Sequence, residues 1–107
     1  MTLYFNTEIA QDVGLTAAVI YEYIMEGVSH SMTHREFSHE GVYWTRQSVA
    51  EIALFLPFFT EKQIRSSLNE LVSNGYLKSG CFNKDPRDRT KWYTNGEKGH
   101  FYDFSCK

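Results

Sequence analysis

Hydrophobic residues recur every three or four positions in two parts of the chain. The first stripe consists of Ala17, Ile20, Tyr21, Ile24 and Val28. The second consists of Ile64, Leu68, Leu71 and Val72. Residues at this spacing share one face of an α-helix, so the pattern predicts two helices with one side in the core. We expect the first to be capped by Thr16 and to fade near residues 27–29, before a polar surface loop over residues 29–41.

Two capping-box sequences predict a pair of short helices in the second half. Ser48 is followed three residues later by Glu51, and Thr60 in the same way by Gln63. Each pair can satisfy free N–H groups at a helix start. The first helix should stop before Pro57, because the residue preceding proline avoids helical angles. Two capped helices joined by a turn of about four residues predict a helix-turn-helix.

Turn-forming residues bound the remaining helices. Asn6 or Thr7 can cap a short helix that runs to about residue 13, where Gly14 ends it. Asn74 and Gly75 supply a left-handed stop for the helix that begins at Thr60.

Three segments have the composition of strands, namely residues 42–45, 76–82 and 89–94. The last two flank a turn-rich loop with cations, residues 83–88, and predict a β-hairpin. Helix, strand, basic loop and strand in this order predict an α+β fold, a winged helix-turn-helix whose C-terminal hairpin is the wing. We expect one domain over residues 1–107, with a core of about residues 5–95 and a tail over 96–107.

The polar side of the predicted second helix is a candidate DNA-binding surface. Short or fork-shaped polar groups read base edges or bind phosphates, and a helix N-terminus attracts phosphate. In this helix the candidate residues are Thr60, Lys62, Gln63, Arg65, Ser66, Asn69 and Ser73. The candidates in the hairpin are Lys84, Arg87, Arg89 and Lys91.

Alternation along the last strand predicts which way the hairpin residues face. Arg89 and Lys91 share one side and Trp92 lies on the other. Because a large indole favours burial, we expect Trp92 to face the helices and the two cations to point outward with Lys84 and Arg87. Asp85 and Asp88 dilute this patch and are candidates for ion pairs with its arginines.

Charge is unevenly distributed along the chain. The net charge is −2, yet residues 1–59 carry two cations and seven anions, whereas residues 60–95 carry seven cations and four anions. Such a polarised domain can offer one face to phosphates and another to a protein. A protein contact would use the acidic half, with Glu22, Glu26, Glu36 and Glu40.

Enzymatic and metal chemistry find no support in the sequence. There is no glycine-rich phosphate loop and no nucleophile elbow. His30, His34 and His39 crowd one segment, but their spacing is loose, and Cys81 and Cys106 fit neither a zinc site nor a disulfide framework. We therefore expect no enzyme, cofactor or metal. The absence of an apolar run of membrane-spanning length or of a signal pattern predicts a cytoplasmic protein with no membrane partner.

The chain resembles the N-terminal winged-helix domains of bacteriophage replication proteins of the replisome-organiser and primosomal type. The resemblance spans about residues 5–94 and is most specific in the segments Pro-Phe-Phe-Thr-Glu-Lys, residues 57–62, and Arg-Thr-Lys-Trp-Tyr, residues 89–93. It implies binding of origin DNA through the helix after Thr60 and through the wing.

Two functional hypotheses follow. One is a sequence-specific module that binds double-stranded DNA for phage or mobile-element replication initiation or for transcriptional control. The other is a small phage-type protein-interaction module that keeps the fold but binds another protein, for example as an inhibitor of a host complex. Dimerisation, which is common among winged helices, remains open.

Overall fold

The computed structural model describes residues 2–99 and residue 104, and in that part of the chain it contains four helices and two small antiparallel sheets. The helices are α1 (Thr7–Val13), α2 (Leu15–His34), α3 (Val49–Phe55) and α4 (Glu61–Ser73). The strands are β1 (Ser38–His39), β2 (Val42–Tyr43), β3 (Thr45–Arg46), β4 (Leu77–Gly80) and β5 (Trp92–Asn95). The α+β class predicted from the sequence is confirmed.

Both capping boxes form as predicted. The Ser48 hydroxyl accepts from the N–H of Glu51 at 3.1 Å, and the Glu51 carboxylate accepts from the N–H of Ser48 at 3.2 Å. The corresponding distances for Thr60 and Gln63 are 3.1 and 2.8 Å. These local bonds fix the start of α3 and of α4.

The predicted bounds of α2 were wrong at both ends. Gly14, with a φ of 96°, precedes the helix in the position predicted for Thr16. At the other end the helix continues through residues 29–34, which were predicted as loop, and stops at Arg35 in the left-handed conformation. Ser31 is buried there and donates its hydroxyl to the carbonyl of Gly27 at 3.1 Å.

Gly27 lies inside α2 because β3 passes close to it. A Cβ at position 27 would lie 2.6 Å from the Thr45 hydroxyl oxygen, so only glycine fits without movement of the strand. The sequence predicted that the helix fades from this glycine onward, whereas Gly27 lies well inside α2.

A tight β-hairpin lies within the segment predicted as loop and strand. β1 and β2 pair through Ser38 with Tyr43 and His39 with Val42. The two residues between them, Glu40 and Gly41, both have positive φ, as type I′ hairpin turns require. The predicted strand over residues 42–45 is therefore divided, since β2 belongs to this hairpin and β3 to the second sheet.

The second sheet has the order β3-β5-β4, with antiparallel pairing throughout. β4 pairs with β5 from Leu77 opposite Asn95 to Gly80 opposite Trp92. Both strands were predicted, but the loop between them, residues 81–91, is longer than expected, because residues 81–82 are not in β4 and residues 89–91 are not in β5.

The core lies between α2, its neighbouring helices and one face of the second sheet. All five residues of the first predicted stripe are buried, as are Ile64, Leu68 and Leu71 of α4. Tyr93 of β5 joins this cluster from the sheet. Among the helices of residues 2–99, none is both long and apolar enough to span a bilayer.

Candidate nucleic-acid interface

The solvent-facing side of α4 carries the residues predicted for it. Lys62, Arg65, Ser66, Asn69 and Ser73 are all exposed. Together with Glu70 these five residues line a shallow surface depression of about 490 Å³ that runs along the helix. Since the apolar face of α4 is in the core, this polar side is free to contact a ligand.

Thr60 and Gln63 are exposed, but their side chains already act as helix caps. The Thr60 hydroxyl accepts from one backbone N–H and the Gln63 amide oxygen from the other. Thr60 and Gln63, which were predicted as DNA contacts, are therefore found at the start of α4, where they order its first turn.

A second depression, of about 590 Å³, lies between α4, the start of α3 and the residues that lead into β5. Its charged lining residues are Arg65, Arg89, Lys91 and Glu61. Asn69 also lines it, so that Arg65 and Asn69 belong to both depressions. The structure thus brings residues of α4 and residues 89–91 to one continuous surface.

The three cations of this depression are available for a ligand. Arg65, Arg89 and Lys91 are exposed, and none is in an ion pair in the part of the chain that the structure describes. With Glu61 as the one described acidic lining residue, the depression has a local excess of positive charge. Such an excess of positive charge attracts anionic groups.

The predicted direction of Trp92 was wrong, although its burial is confirmed. Trp92 is only 5% exposed, but the rings that contact it belong to Phe37, His39 and Phe82. Tyr93, the next residue, faces the helical core. Phe37 and His39, at the start of the β1–β2 hairpin, and Phe82, which follows β4, cover Trp92 on the other face of the sheet.

This correction changes where the hairpin cations point. Arg89 and Lys91 are on the side of Tyr93 and border α4, so they do not point away from the helices as expected. Lys84 lies elsewhere, beside a depression lined by Phe37, His39 and Trp92. The four predicted hairpin cations therefore do not form one patch.

Arg87 is almost fully exposed and has a local partner. Its guanidinium lies 3.5 Å from the carboxylate of Asp85, and its side chain is 93% exposed. The predicted pairing of the loop arginines with both aspartates is confirmed for Asp85 and wrong for Asp88, which pairs with Arg46 of β3.

Asn83 organises the loop over residues 81–91. Its amide nitrogen donates to the carbonyls of Asp88 and Thr90 at 2.9 and 2.7 Å. Its amide oxygen accepts from the Arg46 guanidinium at 2.9 Å. This role of Asn83 was not predicted from the sequence, although asparagine and aspartate at the start of a turn often bond to nearby backbone.

Asp88 completes the arrangement. Its carboxylate accepts from the N–H of Thr90 at 3.0 Å and pairs with Arg46. The hydrogen bonds from Thr90, and then the bond and charge of Arg46, hold the pKa of Asp88 below its ordinary value. Arg46 is therefore already engaged by the loop and is not available to a ligand.

The three histidines lie apart from this surface and in different settings. The rings of His30 and His34 are 4.0 Å apart on α2, whereas His39 stacks on Phe82 at 4.3 Å. Across residues 2–99 and 104, no group of three or more histidine, cysteine, aspartate or glutamate side chains is arranged to hold a metal ion.

No protein-family model, curated protein or solved structure matches the chain.

Proposed function

We propose that the chain is a DNA-binding module with a winged helix-turn-helix. In this proposal α3, residues 56–60 and α4 are the helix-turn-helix, α4 is the recognition helix, and the β4–β5 hairpin is the wing. The fold order and the two capping boxes support this assignment. The observation that carries it is the surface shared by Arg65, Asn69, Arg89 and Lys91.

The contacts divide by chemistry. Arg65, Arg89 and Lys91 would bind phosphates, which fixes the orientation of the protein on the duplex. Asn69 and Ser66, in the middle of the exposed side of α4, would face base edges in the major groove, where an asparagine can bind adenine through two hydrogen bonds. The acidic side chains Glu22, Glu26, Glu36 and Glu40, none of which lines either depression, would then lie away from the duplex, because carboxylates are repelled by phosphates.

The biological setting follows from the resemblance to phage replisome-organiser and primosomal domains. It favours origin binding in replication initiation, or transcriptional control, in a bacteriophage or another mobile element. The alternative, a small inhibitor of a host complex, would place the contact on the acidic half of the chain.

A salt titration tests the proposal. Fluorescence anisotropy of labelled duplexes of varied sequence, at several salt concentrations, should give a log–log slope on the order of −3 to −5, since several cations displace counterions. The absence of binding to all duplexes at low salt would reject DNA as the ligand and favour the protein-partner alternative.

A further inference from the structure

The end of α3 and the turn after it expose three large apolar side chains. Leu54 is 80% exposed, and Phe55 and Phe58 are each 59% exposed. Their neighbours Ile52 and Leu56 are fully buried, so α3 is anchored in the core by its other side. Single exposed apolar residues are ordinary, whereas three within five positions bring apolar surface together at the end of α3, and exposed apolar surface of this kind is available to a partner.

Nothing in the proposed DNA contact uses this patch. None of the three side chains lines either depression along α4. The role of α3 in the helix-turn-helix accounts for its buried side but not for these residues.

Acidic side chains border the patch. The ring of Tyr23 on α2 lies 6.1 Å from that of Phe55. On α3, Glu51 lies four residues before Phe55, and on α2, Glu26 lies three residues after Tyr23, so each exposed carboxylate shares a helix face with one of these two rings. Burial raises the pKa of Tyr23, and the negative charges of Glu51 and Glu26 raise it further. Neither carboxylate is in an ion pair among the residues that the structure describes.

We propose that Leu54, Phe55 and Phe58 form a docking surface for a partner protein that presents an apolar helix face flanked by lysine or arginine. The apolar residues would bury the helix face, and Glu26 and Glu51 would pair with its cations. Opposite charge around an apolar centre favours the correct partner and speeds association.

The acidic border argues against the other occupants. A duplex would bring phosphates against Glu26 and Glu51. In a symmetric dimer through this patch, the same surface of each copy meets its equivalent, so the carboxylates of the two copies would face one another. A basic amphipathic segment has neither disadvantage.

An NMR titration of the full chain with two synthetic helical peptides tests the proposal. Both peptides carry leucine along one face, and the flanking positions are lysine in one and glutamate in the other. We expect the lysine peptide to shift the backbone signals of residues 51–58 and to bind at least tenfold more tightly than the glutamate peptide. Equal binding, or no shift in this segment at millimolar lysine peptide, would overturn the proposal.

Three variants make the test specific. Leu54→Ser with Phe58→Ser should weaken the lysine peptide at least tenfold with little change in melting temperature, whereas Leu15→Ser, a change of another exposed leucine, should not. Glu26→Gln with Glu51→Gln should remove the preference between the peptides, and glutamine at position 51 can still complete the capping box. A preference that survives this double change would contradict the assigned role of the carboxylates.

Self-association and DNA binding are measured in parallel. Sedimentation of the parent chain should show a monomer, and a dimer that Leu54→Ser abolishes would assign the patch to a second copy and overturn the proposal. Duplex affinity should be the same in parent and Leu54→Ser/Phe58→Ser. A comparable loss of duplex affinity would place the patch in the DNA contact instead.

Discussion

The indole N–H of Trp92 donates a hydrogen bond of 2.8 Å to the side-chain oxygen of Asn83. One amide group thereby connects the buried aromatic residue of β5 with the beginning of the 81–91 loop. Because the same amide also binds the backbone near the end of the loop, the loop has a defined conformation although its outer residues are exposed.

Replacement of Asn83 by alanine should destabilise the protein. The change removes the acceptor of the Trp92 indole and the donor for two carbonyls, and a buried polar group without a partner costs about 1–3 kcal/mol. Urea unfolding followed by circular dichroism would measure the loss. Lys84→Ala is the matched control, since Lys84 is exposed and should change stability by no more than about 0.5 kcal/mol. Similar values for the two variants would mean that the amide bonds contribute nothing net.

Arg89 and Arg87 should differ in their effect on DNA affinity. Arg89 borders α4 without an ion-pair partner in the described part of the chain, whereas Arg87 lies beside Asp85. Arg89→Ala should weaken binding to every duplex and reduce the salt slope by about 1, the effect of one lost phosphate contact. Arg87→Ala should have a smaller effect, measured in the same anisotropy titrations. A larger loss of affinity for Arg87→Ala than for Arg89→Ala would indicate that the DNA contact lies at the tip of the loop.

Asn69 should contribute to the choice of sequence. Its side chain is exposed on α4, so its loss should leave the core unchanged. Asn69→Ala should weaken a preferred duplex by about 1–3 kcal/mol and scarcely alter binding to others. Selection of duplexes from a random pool, followed by titration of the preferred and a scrambled site, would measure both. An equal loss on the two sites would show that α4 only follows the backbone.

The cap at Thr60 should contribute to folding on its own. Thr60→Ala removes the acceptor for the Gln63 N–H and should destabilise the protein by about 1 kcal/mol. Thr60→Ser keeps an acceptor oxygen, so its melting temperature should stay near that of the parent. If both substitutions lower the melting temperature equally, the hydroxyl is not the stabilising group.

Asp88 should make stability depend on pH in the acid range. Its pKa is lowered in the folded chain, so it contributes stability above its unfolded pKa of about 3.9, and this contribution is lost as the pH falls through the lower folded value. The free energy of unfolding of the parent should therefore fall more steeply than that of Asp88→Asn as the pH drops below about 4. Parallel curves in urea unfolding would contradict the role of this carboxylate.

The helices α3 and α4 could be predicted because their signals are local. A capping box lies within four consecutive residues, and Pro57 and Gly75 act on their own neighbours. The extension of α2 could not be predicted in this way, since Gly27 is explained by β3, which comes much later in the chain. The low helix propensity of glycine, taken alone, favours a helix end at Gly27.

The candidate site could be predicted only in part, because only some of its residues are positioned by local signals. The exposed residues of α4 follow from its apolar stripe, and the structure confirms their exposure. Alternation placed Trp92 and Tyr93 on opposite faces of β5, but it could not tell which face meets the helices, because Trp92 and Tyr93 are both buried. Arg46 and Asp88 are 42 positions apart, and no local pattern relates them.

The fixed conformation of the 81–91 loop has a consequence for affinity. A flexible loop loses conformational entropy when it meets a ligand, and that loss opposes binding. Here the bonds to Asn83 and Asp88 have already ordered the loop during folding. Arg46 lies outside the proposed DNA contact but helps to order this loop. Loss of Arg46 would therefore make the unbound loop more disordered and weaken binding.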